Sequence, residues 1–220
     1  MHTCSYFDRV ASDWDVLREG FFSSRLRDFA IGVAGVHQGF LAADIGAGTG
    51  FVTEGLVAAG ARVIAVDPSR NMLAELRRKF QGVRPVEVRR MTGDRLPIAD
   101  RQMDGVFANM VLHHTEAPGR AIVEMGRILK PGGRLVITDL DKHDYQFLRE
   151  EHSDRWMGFY RSDIRYWLSC AGFSNIIVNG IPGEQCCAKS SCGGERAAVG
   201  ILMATGTRQV GNHVGSAIRP

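Results

Sequence analysis

Short apolar runs alternate with segments of helical spacing through most of the chain, and this alternation restricts the fold more than any other feature. The apolar runs have the length of strands and lie at residues 40–46, 62–67, 86–91, 103–112 and 134–140. The helical segments between them lie at residues 50–59, 69–80 and 117–129. Strands that alternate with helices pair in parallel and are covered on both faces. Because such crossovers are right-handed, the pattern predicts an α/β protein with a doubly wound sheet.

The two ends of the chain are predicted to complete a single domain over residues 1–206. Residues 1–35 have helical spacing and are predicted to form an N-terminal helical lid. Two further apolar runs, at 174–181 and 197–206, are predicted to pair across a cysteine-containing hairpin loop at 182–196. The last residues, 207–220, are predicted to form a loose tail.

The composition argues against several classes of function. The 220 residues carry a net charge of +3, and the basic residues are scattered rather than interleaved with aromatics, so no nucleic-acid binding is expected. No apolar run reaches about 18 residues, so no stable membrane insertion is expected. The N-terminal residues are polar and include early acids, unlike a secretion signal, so a cytoplasmic location is expected. The sequence does not indicate the oligomeric state.

The segment DIGAGTG at 44–50 combines one acid with three glycines at the end of the first strand. A second acid, Asp67, ends the neighbouring strand, and both strand ends face the crevice where doubly wound sheets bind ligands. A carboxylate at that place can accept hydrogen bonds from a ribose diol, which indicates a nucleoside. Dinucleotide sites use G-x-G-x-x-G, and an acid such as Asp44 beside a pyrophosphate would be repulsive. Beside the ammonium group of a methionine moiety the same acid would be favourable.

These motifs resemble those of the class I S-adenosylmethionine-dependent methyltransferases, whose first motif is D/E-x-G-x-G-x-G. The blocks YFDRVASDWD, VIAVDPS, LPIADRQMDGVFANMVLHH and EMGRILKPGGRLVITDL resemble the ubiquinone/menaquinone-type branch, over roughly residues 5–206. The resemblance implies a Rossmann-like seven-stranded sheet with the last strand antiparallel. It also implies S-adenosylmethionine as cofactor and a small molecule as methyl acceptor.

The resemblance assigns cofactor contacts residue by residue. It implies that Asp67 binds the ribose, that the glycine loop binds the methionine part, and that Asp94 meets the adenine amine. GDRLPI at 93–98 is shorter than the family's usual segment around that last acid. The full expected set is Asp44, Gly46, Ala47, Gly48, Gly50, Asp67, Pro68, Met72, Asp94, Asn109 and Met110.

Methyl transfer from a sulfonium is an in-line displacement, so the protein mainly has to align the reactants and exclude water. A general base is needed only where the acceptor loses a proton. His113 and His114 are the candidate catalytic residues, and packing of their loop is the alternative. Acids and a histidine at 139–144 either line the substrate mouth or form a solvated loop. Residues 147–159 either cover the substrate or form an amphipathic surface helix.

Three of the five cysteines, Cys186, Cys187 and Cys192, lie within seven residues. Thiolates prefer soft ions, so a metalloid such as trivalent arsenic is one candidate ligand for all three. Free thiols and a disulfide are the alternatives. The segment resembles that of methyltransferases associated with arsenic-type repressors, but the cysteine that arsenite methyltransferases carry after motif I is missing from 51–60.

Two functions remain open from the sequence. The first is a methyltransferase with a small-molecule acceptor, either a metalloid such as arsenite or a quinone-type carbon acceptor. The second is a thiol-based metal(loid)-binding or sensing protein that keeps the methyltransferase fold. The complete acid and glycine motif favours the first.

Overall fold

A computed structural model describes residues 2–190 and 194–209 of the chain, with side chains from residue 6 onward. Seven strands form one sheet in the order β3-β2-β1-β4-β5-β7-β6, with β7 antiparallel to both of its neighbours. This confirms the doubly wound, Rossmann-like sheet with an antiparallel last strand. The strands are β1 (Leu41–Ile45), β2 (Arg62–Asp67), β3 (Val86–Arg90), β4 (Met103–Asn109), β5 (Leu129–Leu140), β6 (Phe173–Lys189) and β7 (Arg196–Arg208).

Eight α-helices accompany the sheet in the described part of the chain. They are α1 (His2–Val10), α2 (Trp14–Glu19), α3 (Ser24–Ala34), α4 (Phe51–Ala58), α5 (Arg70–Lys79), α6 (Pro118–Ile128), α7 (Gln146–His152) and α8 (Arg161–Cys170). A short 3-10 turn at Leu112–His114 follows β4. None of the helices in residues 2–190 and 194–209 has the length and apolar content needed to cross a bilayer.

Apolar residues fill both faces of the central strands, because successive side chains of a strand point to opposite sides. On β5, Leu135 and Ile137 pack towards α6 and α8, whereas Val136 packs towards α3 and α4. On β4, Val106 packs in the same layer as Leu135, and Phe107 packs in the same layer as Val136. Two buried layers therefore hold the sheet rigidly between helices.

The parallel register brings the carboxyl ends of the central strands to one edge. Ile45 of β1 lies opposite Val66 of β2 and opposite Ala108 of β4. The segments that follow these three strands therefore leave the sheet side by side. They are the glycine loop, the Asp67–Ser69 turn and the turn that begins at Asn109.

Residues 2–35, the described part of the predicted N-terminal helical lid, form three helices with two different roles. Helix α3 begins after Ser23, whose hydroxyl accepts a hydrogen bond from the Arg25 backbone N–H. Its buried residues, Leu26, Ala30, Ile31 and Ala34, lie on one stripe that packs on the sheet. Only α1 and α2 lie over the carboxyl edge, so α3 belongs to the covering layer of the sheet.

Within the range 182–196, predicted as a cysteine-containing hairpin loop, residues 182–189 and 196 lie in strands, and residues 191–193 lie outside the described part. Strands β6 and β7 pair again from Gln185↔Gly200 to Lys189↔Arg196, after a register shift that begins at Gly180. The segment IPGE at 181–184 looks like a turn in the sequence, but it forms the irregular bulge between the two paired stretches. Strand β7 also continues to Arg208, two residues into the predicted tail. Residues 210–220 lie outside the described part.

The packing of α3 can be tested with Leu26→Ala. Leu26 is fully buried, so truncation should lower the free energy of unfolding by about 2–5 kcal/mol. Val16→Ala, at a residue of α2 that is 76% exposed, should change it by less than about 0.5 kcal/mol. Urea denaturation followed by circular dichroism measures both. Equal, small effects would contradict the placement of α3 in the core.

Candidate functional site

A cavity of about 490 Å³ lies at the carboxyl edge of the sheet, beneath α1 and α2. Its volume falls in the range of small-molecule and cofactor sites. Of the residues expected from the sequence to bind cofactor, all but Gly50 line it. His113, His114 and Cys186 line it as well. We refer to the part around Gly46, Gly48 and Asp67 as the glycine-loop end, and to the part around His113, His114 and Asp154 as the histidine end.

The glycine loop needs its glycines for space as well as for conformation. Gly46 has a φ of +68°, and a Cβ there would collide with the Val111 side chain. Gly50, with a φ of +97°, precedes the first residue of α4, and a Cβ there would lie 2.6 Å from Phe80 Cε2. Gly50 therefore shapes the loop from behind, which explains why it does not line the cavity.

The two acids of the glycine-loop end are buried and held by hydrogen bonds. Asp67 accepts hydrogen bonds from the backbone N–H groups of Gly48, at 2.9 Å, and Ser69, at 2.8 Å. Each carboxylate oxygen can accept a further bond from a ligand. Asp44 accepts a hydrogen bond from the Thr53 hydroxyl at 2.6 Å. Burial raises the pKa of Asp67 to about 6 and that of Asp44 to about 7, so both sites favour a cationic or proton-donating ligand.

The remaining expected cofactor residues surround the two acids. Pro68 precedes α5 and Met72 lies in its first turn, where the Ser69 hydroxyl caps the helix by accepting a bond from the Met72 N–H at 3.1 Å. Asp94 is exposed at the cavity rim after β3. Asn109 ends β4, and the N–H of the following residue, Met110, donates to the Thr138 carbonyl at 2.8 Å. Each expected contact residue is therefore present on the wall or beside it.

Helices α1 and α2 are fastened over the glycine-loop end by two acids that the sequence analysis did not single out. Asp8 accepts a hydrogen bond from the Ser69 hydroxyl at 2.5 Å. Asp15 accepts one from the Thr49 hydroxyl at 2.6 Å. The Trp14 indole then lies over Gly48, where a Cβ would be 3.7 Å from Nε1. Both acids lie within the YFDRVASDWD block at residues 6–15, which was the only signal for them.

Arg18 of α2 is a second residue that the sequence analysis missed. Its guanidinium carbon lies 4.1 Å from the Phe51 ring centroid, and the side chain lines the cavity. Its Nε is buried and has no hydrogen-bond partner within the described structure. An unpaired donor on a cation at a cavity wall can pair with an anionic group of a ligand, such as a carboxylate.

The histidine end is organised by a buried carboxylate. Asp139, at the end of β5, accepts hydrogen bonds from the backbone N–H groups of Leu112, at 2.9 Å, and Leu140, at 2.8 Å. Its oxygen Oδ1 also lies 2.7 Å from His113 Nδ1. Burial by itself lowers the pKa of His113, but the charge and hydrogen bond of Asp139 outweigh it and the net pKa is raised. Asp139 therefore holds His113 with Nε2 directed away from the carboxylate.

Asp154 faces both histidines from the segment after α7. Its Oδ1 lies 3.7 Å from His113 Nε2 and 3.8 Å from His114 Nδ1. Burial raises the pKa of Asp154 to about 6, whereas burial and the neighbouring His113 hold the pKa of His114 well below its usual value. The backbone N–H groups of Arg155 and Trp156 both donate to the His113 carbonyl. The segment 147–159 thus lies over the histidine end.

The other polar residues after β5 have separate environments. Asp141 pairs with Arg161 through two hydrogen bonds of 2.8 and 2.6 Å. His143 is buried outside the cavity wall, and Asp144 is exposed. Of the four residues expected near a substrate mouth, only Asp139 contributes to the site, and it does so from behind His113.

The structure does not bring the cysteines together. Cys186 and Cys187 are adjacent in β6, so their side chains point to opposite faces: Cys186 lines the cavity, and Cys187 is exposed. Burial raises the pKa of the Cys186 thiol to about 12, which opposes the thiolate form that soft ions bind. Cys192 lies outside the described residues. A shared three-thiolate site therefore has no support from the two positions that are described.

Comparison with known proteins agrees with the geometry. Residues 43–137 match the family described as Methyltransferase domain. A demethylmenaquinone methyltransferase of Thermobifida fusca is 32% identical over 158 residues, which is 70% of this chain and 65% of the relative. The match spans 64–65% of the length of the first curated relatives, which is slightly less than two thirds.

Solved structures show the same fold at low sequence identity. A chain from a Haloferax volcanii complex of the Trm112 methyltransferase activator with a methyltransferase has a TM-score of 0.77 at 18% identity, covering 96% of this chain and 99% of that one. A SAM-dependent methyltransferase from Aquifex aeolicus has a TM-score of 0.65 at 20% identity, covering 90% and 98%. The sheet order, the family match over residues 43–137 and the curated relatives together support a class I S-adenosylmethionine-dependent methyltransferase of the quinone-type branch.

Proposed function

We propose that the protein transfers a methyl group from S-adenosylmethionine to a small, largely apolar acceptor of the quinone type. The observation that carries the proposal is that one cavity joins two unlike ends. The glycine-loop end has buried acids for a cationic nucleoside, and the histidine end has a fixed imidazole for an ionisable acceptor. The curated relatives named demethylmenaquinone methyltransferase support this acceptor class.

The residues present fit the cofactor by their chemistry. Asp67 can accept bonds from the ribose diol, and Asp44 can neutralise the ammonium group of the methionine part. Arg18, with its unpaired Nε, can pair with the carboxylate of that part. Asp94, Asn109 and Met110 complete the wall towards the adenine side and the reacting centre. When bound, the cofactor supplies an electrophilic methyl group on a sulfonium.

The walls between the two ends suit an aromatic ring. Tyr6, Phe7, Trp14 and Phe21 of the N-terminal segment line the cavity together with Leu140 and Leu148. Aromatic and aliphatic walls exclude water and restrict the orientations of a flat acceptor. Phe7 also packs against the His114 ring, with centroids 4.9 Å apart, so the cover reaches the histidine end.

The histidine end acts on the acceptor's proton. In ring methylation an electron pair of the ring would form the new carbon–carbon bond, and the pair of the broken carbon–sulfur bond would stay on sulfur. The methylated ring carbon would then lose its hydrogen as a proton, which restores the aromatic ring. An acceptor hydroxyl that loses its proton makes that ring electron-rich. His113 and His114 are the groups on the wall that can assist this loss, and Asp139 is a positioning residue for His113.

The acceptor class can be tested by transfer of a labelled methyl group. We expect transfer to a reduced naphthoquinone with an unsubstituted ring carbon, and no transfer to arsenite or simple thiols. His113→Gln keeps a donor for Asp139 and should lower the transfer rate by about 10²–10⁴-fold while leaving cofactor affinity unchanged. Transfer to arsenite but not to the ring would contradict the proposal and favour the metalloid alternative.

The nucleoside assignment can be tested with Asp67→Asn. Loss of a charged acceptor should weaken S-adenosylmethionine binding by about 10- to 150-fold, the equivalent of about 1.5–3 kcal/mol. Isothermal titration calorimetry measures the affinity directly. Asp144→Asn, at an exposed acid that does not line the cavity, is the matched control and should bind like the unmodified protein. Undiminished affinity of Asp67→Asn would refute the assignment.

Burial of Asp44 predicts a pH dependence. Its pKa is raised to about 7, and an ammonium group beside the carboxylate would lower that value. Binding should therefore release protons below about pH 7, and affinity should rise by up to about tenfold per pH unit as pH increases towards 7. Calorimetry in buffers of different ionisation enthalpy measures the released protons. Asp44→Asn should remove that share of the release, and an unchanged release in this variant would exclude Asp44 as its source.

A further inference from the structure

Three side chains at the histidine end have the arrangement of a metal site. His113, His114 and Asp154 each offer one ligand atom, and these three atoms lie within 4.8 Å of one another. We propose that they bind one divalent transition-metal ion of the zinc class, with an open coordination position towards the cavity. Only the role of the ion in methyl transfer rests on the proposed function.

The distances between the three side chains leave room for a metal ion. Asp154 Oδ1 lies 3.7 Å from His113 Nε2 and 3.8 Å from His114 Nδ1. Metal bonds of about 2.0–2.1 Å at tetrahedral angles place ligand atoms roughly 3.4 Å apart. The two distances to Asp154 exceed this value by a few tenths of an ångström, and the two histidine nitrogens lie within 4.8 Å of each other. His114 Nδ1 must also exchange its 3.2 Å contact with the Ser153 carbonyl for the ion.

The surroundings of His113 are those of a metal-ligating histidine. Its Nδ1 lies 2.7 Å from Asp139, so the proton on Nδ1 leaves Nε2 as a free lone pair on the other side of the ring. A carboxylate bonded to the outer nitrogen fixes the ring and raises its basicity as a ligand. Asp139 is itself fixed by the N–H groups of Leu112 and Leu140. The second layer of the site is therefore already built.

The ligand set and its position define the class of ion and the role. Two imidazoles and one carboxylate favour zinc-class ions, whereas magnesium and calcium prefer all-oxygen sites. All three residues line the cavity, so a fourth position faces the place proposed for the acceptor. With the two histidines as ligands, an acceptor hydroxyl in this position would lose its proton to water in place of direct transfer to an imidazole, because the ion stabilises the oxyanion.

The metal site can be tested with Co²⁺ as a spectroscopic probe, on chelator-treated full-length protein without a polyhistidine tag. We expect one equivalent of Co²⁺ to bind, with visible absorption typical of a low-coordinate site, and Zn²⁺ to displace it. Asp154→Asn should weaken binding by at least about 100-fold, because even the loss of an outer partner costs 10- to 100-fold. His37→Gln, at an exposed histidine remote from the cavity, should bind like the unmodified protein.

Several outcomes would overturn the metal site. The absence of stoichiometric Co²⁺ binding would be one such outcome. Equal Co²⁺ affinity of Asp154→Asn and the unmodified protein would be another. If Asp154→Asn does not give a native circular dichroism spectrum, His114→Gln takes its place. The NMR resonances of the histidine side chains in the unmodified protein, recorded with and without Zn²⁺, provide an independent test of whether the histidines bind the ion. Calorimetry with S-adenosylmethionine on the same samples separates the two proposals: absent cofactor binding overturns the methyltransferase proposal, whatever the metal result.

Discussion

The hydrogen bonds of the Asp139 carboxylate hold together the part of the site that lies furthest from the glycine loop. One buried side chain joins the end of β5, the turn at Leu112–His114 and the His113 ring. The segment after α7 depends on the same turn, because two of its N–H groups bond to the His113 carbonyl. An unpaired charge at this depth would be costly, so the turn, the ring and the covering segment are stabilised as one unit.

The central fold and the glycine-loop end could be predicted because their signals are local. Strand length, the glycines at 46–50 and an acid such as Asp67 at a strand end lie within a few residues of one another, and the parallel register then places them at one edge. The pair of adjacent histidines could also be found. The assignment of Asp139 as the partner of His113 could not, since the two are 26 positions apart and other acids follow β5 equally closely.

The C-terminal part of the chain was predicted less well because β-bulges and turns favour the same residue types, glycine and proline. Glycine and proline at 180–183 interrupt the pairing of β6 without ending the strand, so Cys186 and Cys187 alternate across a sheet instead of sharing a loop. That alternation weakens the metalloid interpretation of the cysteines and leaves Cys186 as part of a cavity wall. Nitrogen and oxygen ligands at the opposite wall form the better-built candidate for an ion.

The fastening of α1 and α2 has a consequence for how variants of this protein are interpreted. Asp8 and Asp15 do not line the cavity, yet they bond to the hydroxyls of Ser69 and Thr49, on the two turns that form the glycine-loop end. The shape of the pocket is therefore set partly by residues that do not line it. If substitution of either acid lowered ligand affinity, the cause would be displacement of α1 and α2 from their position over the cavity. A list of the residues that line the cavity would not reveal this cause.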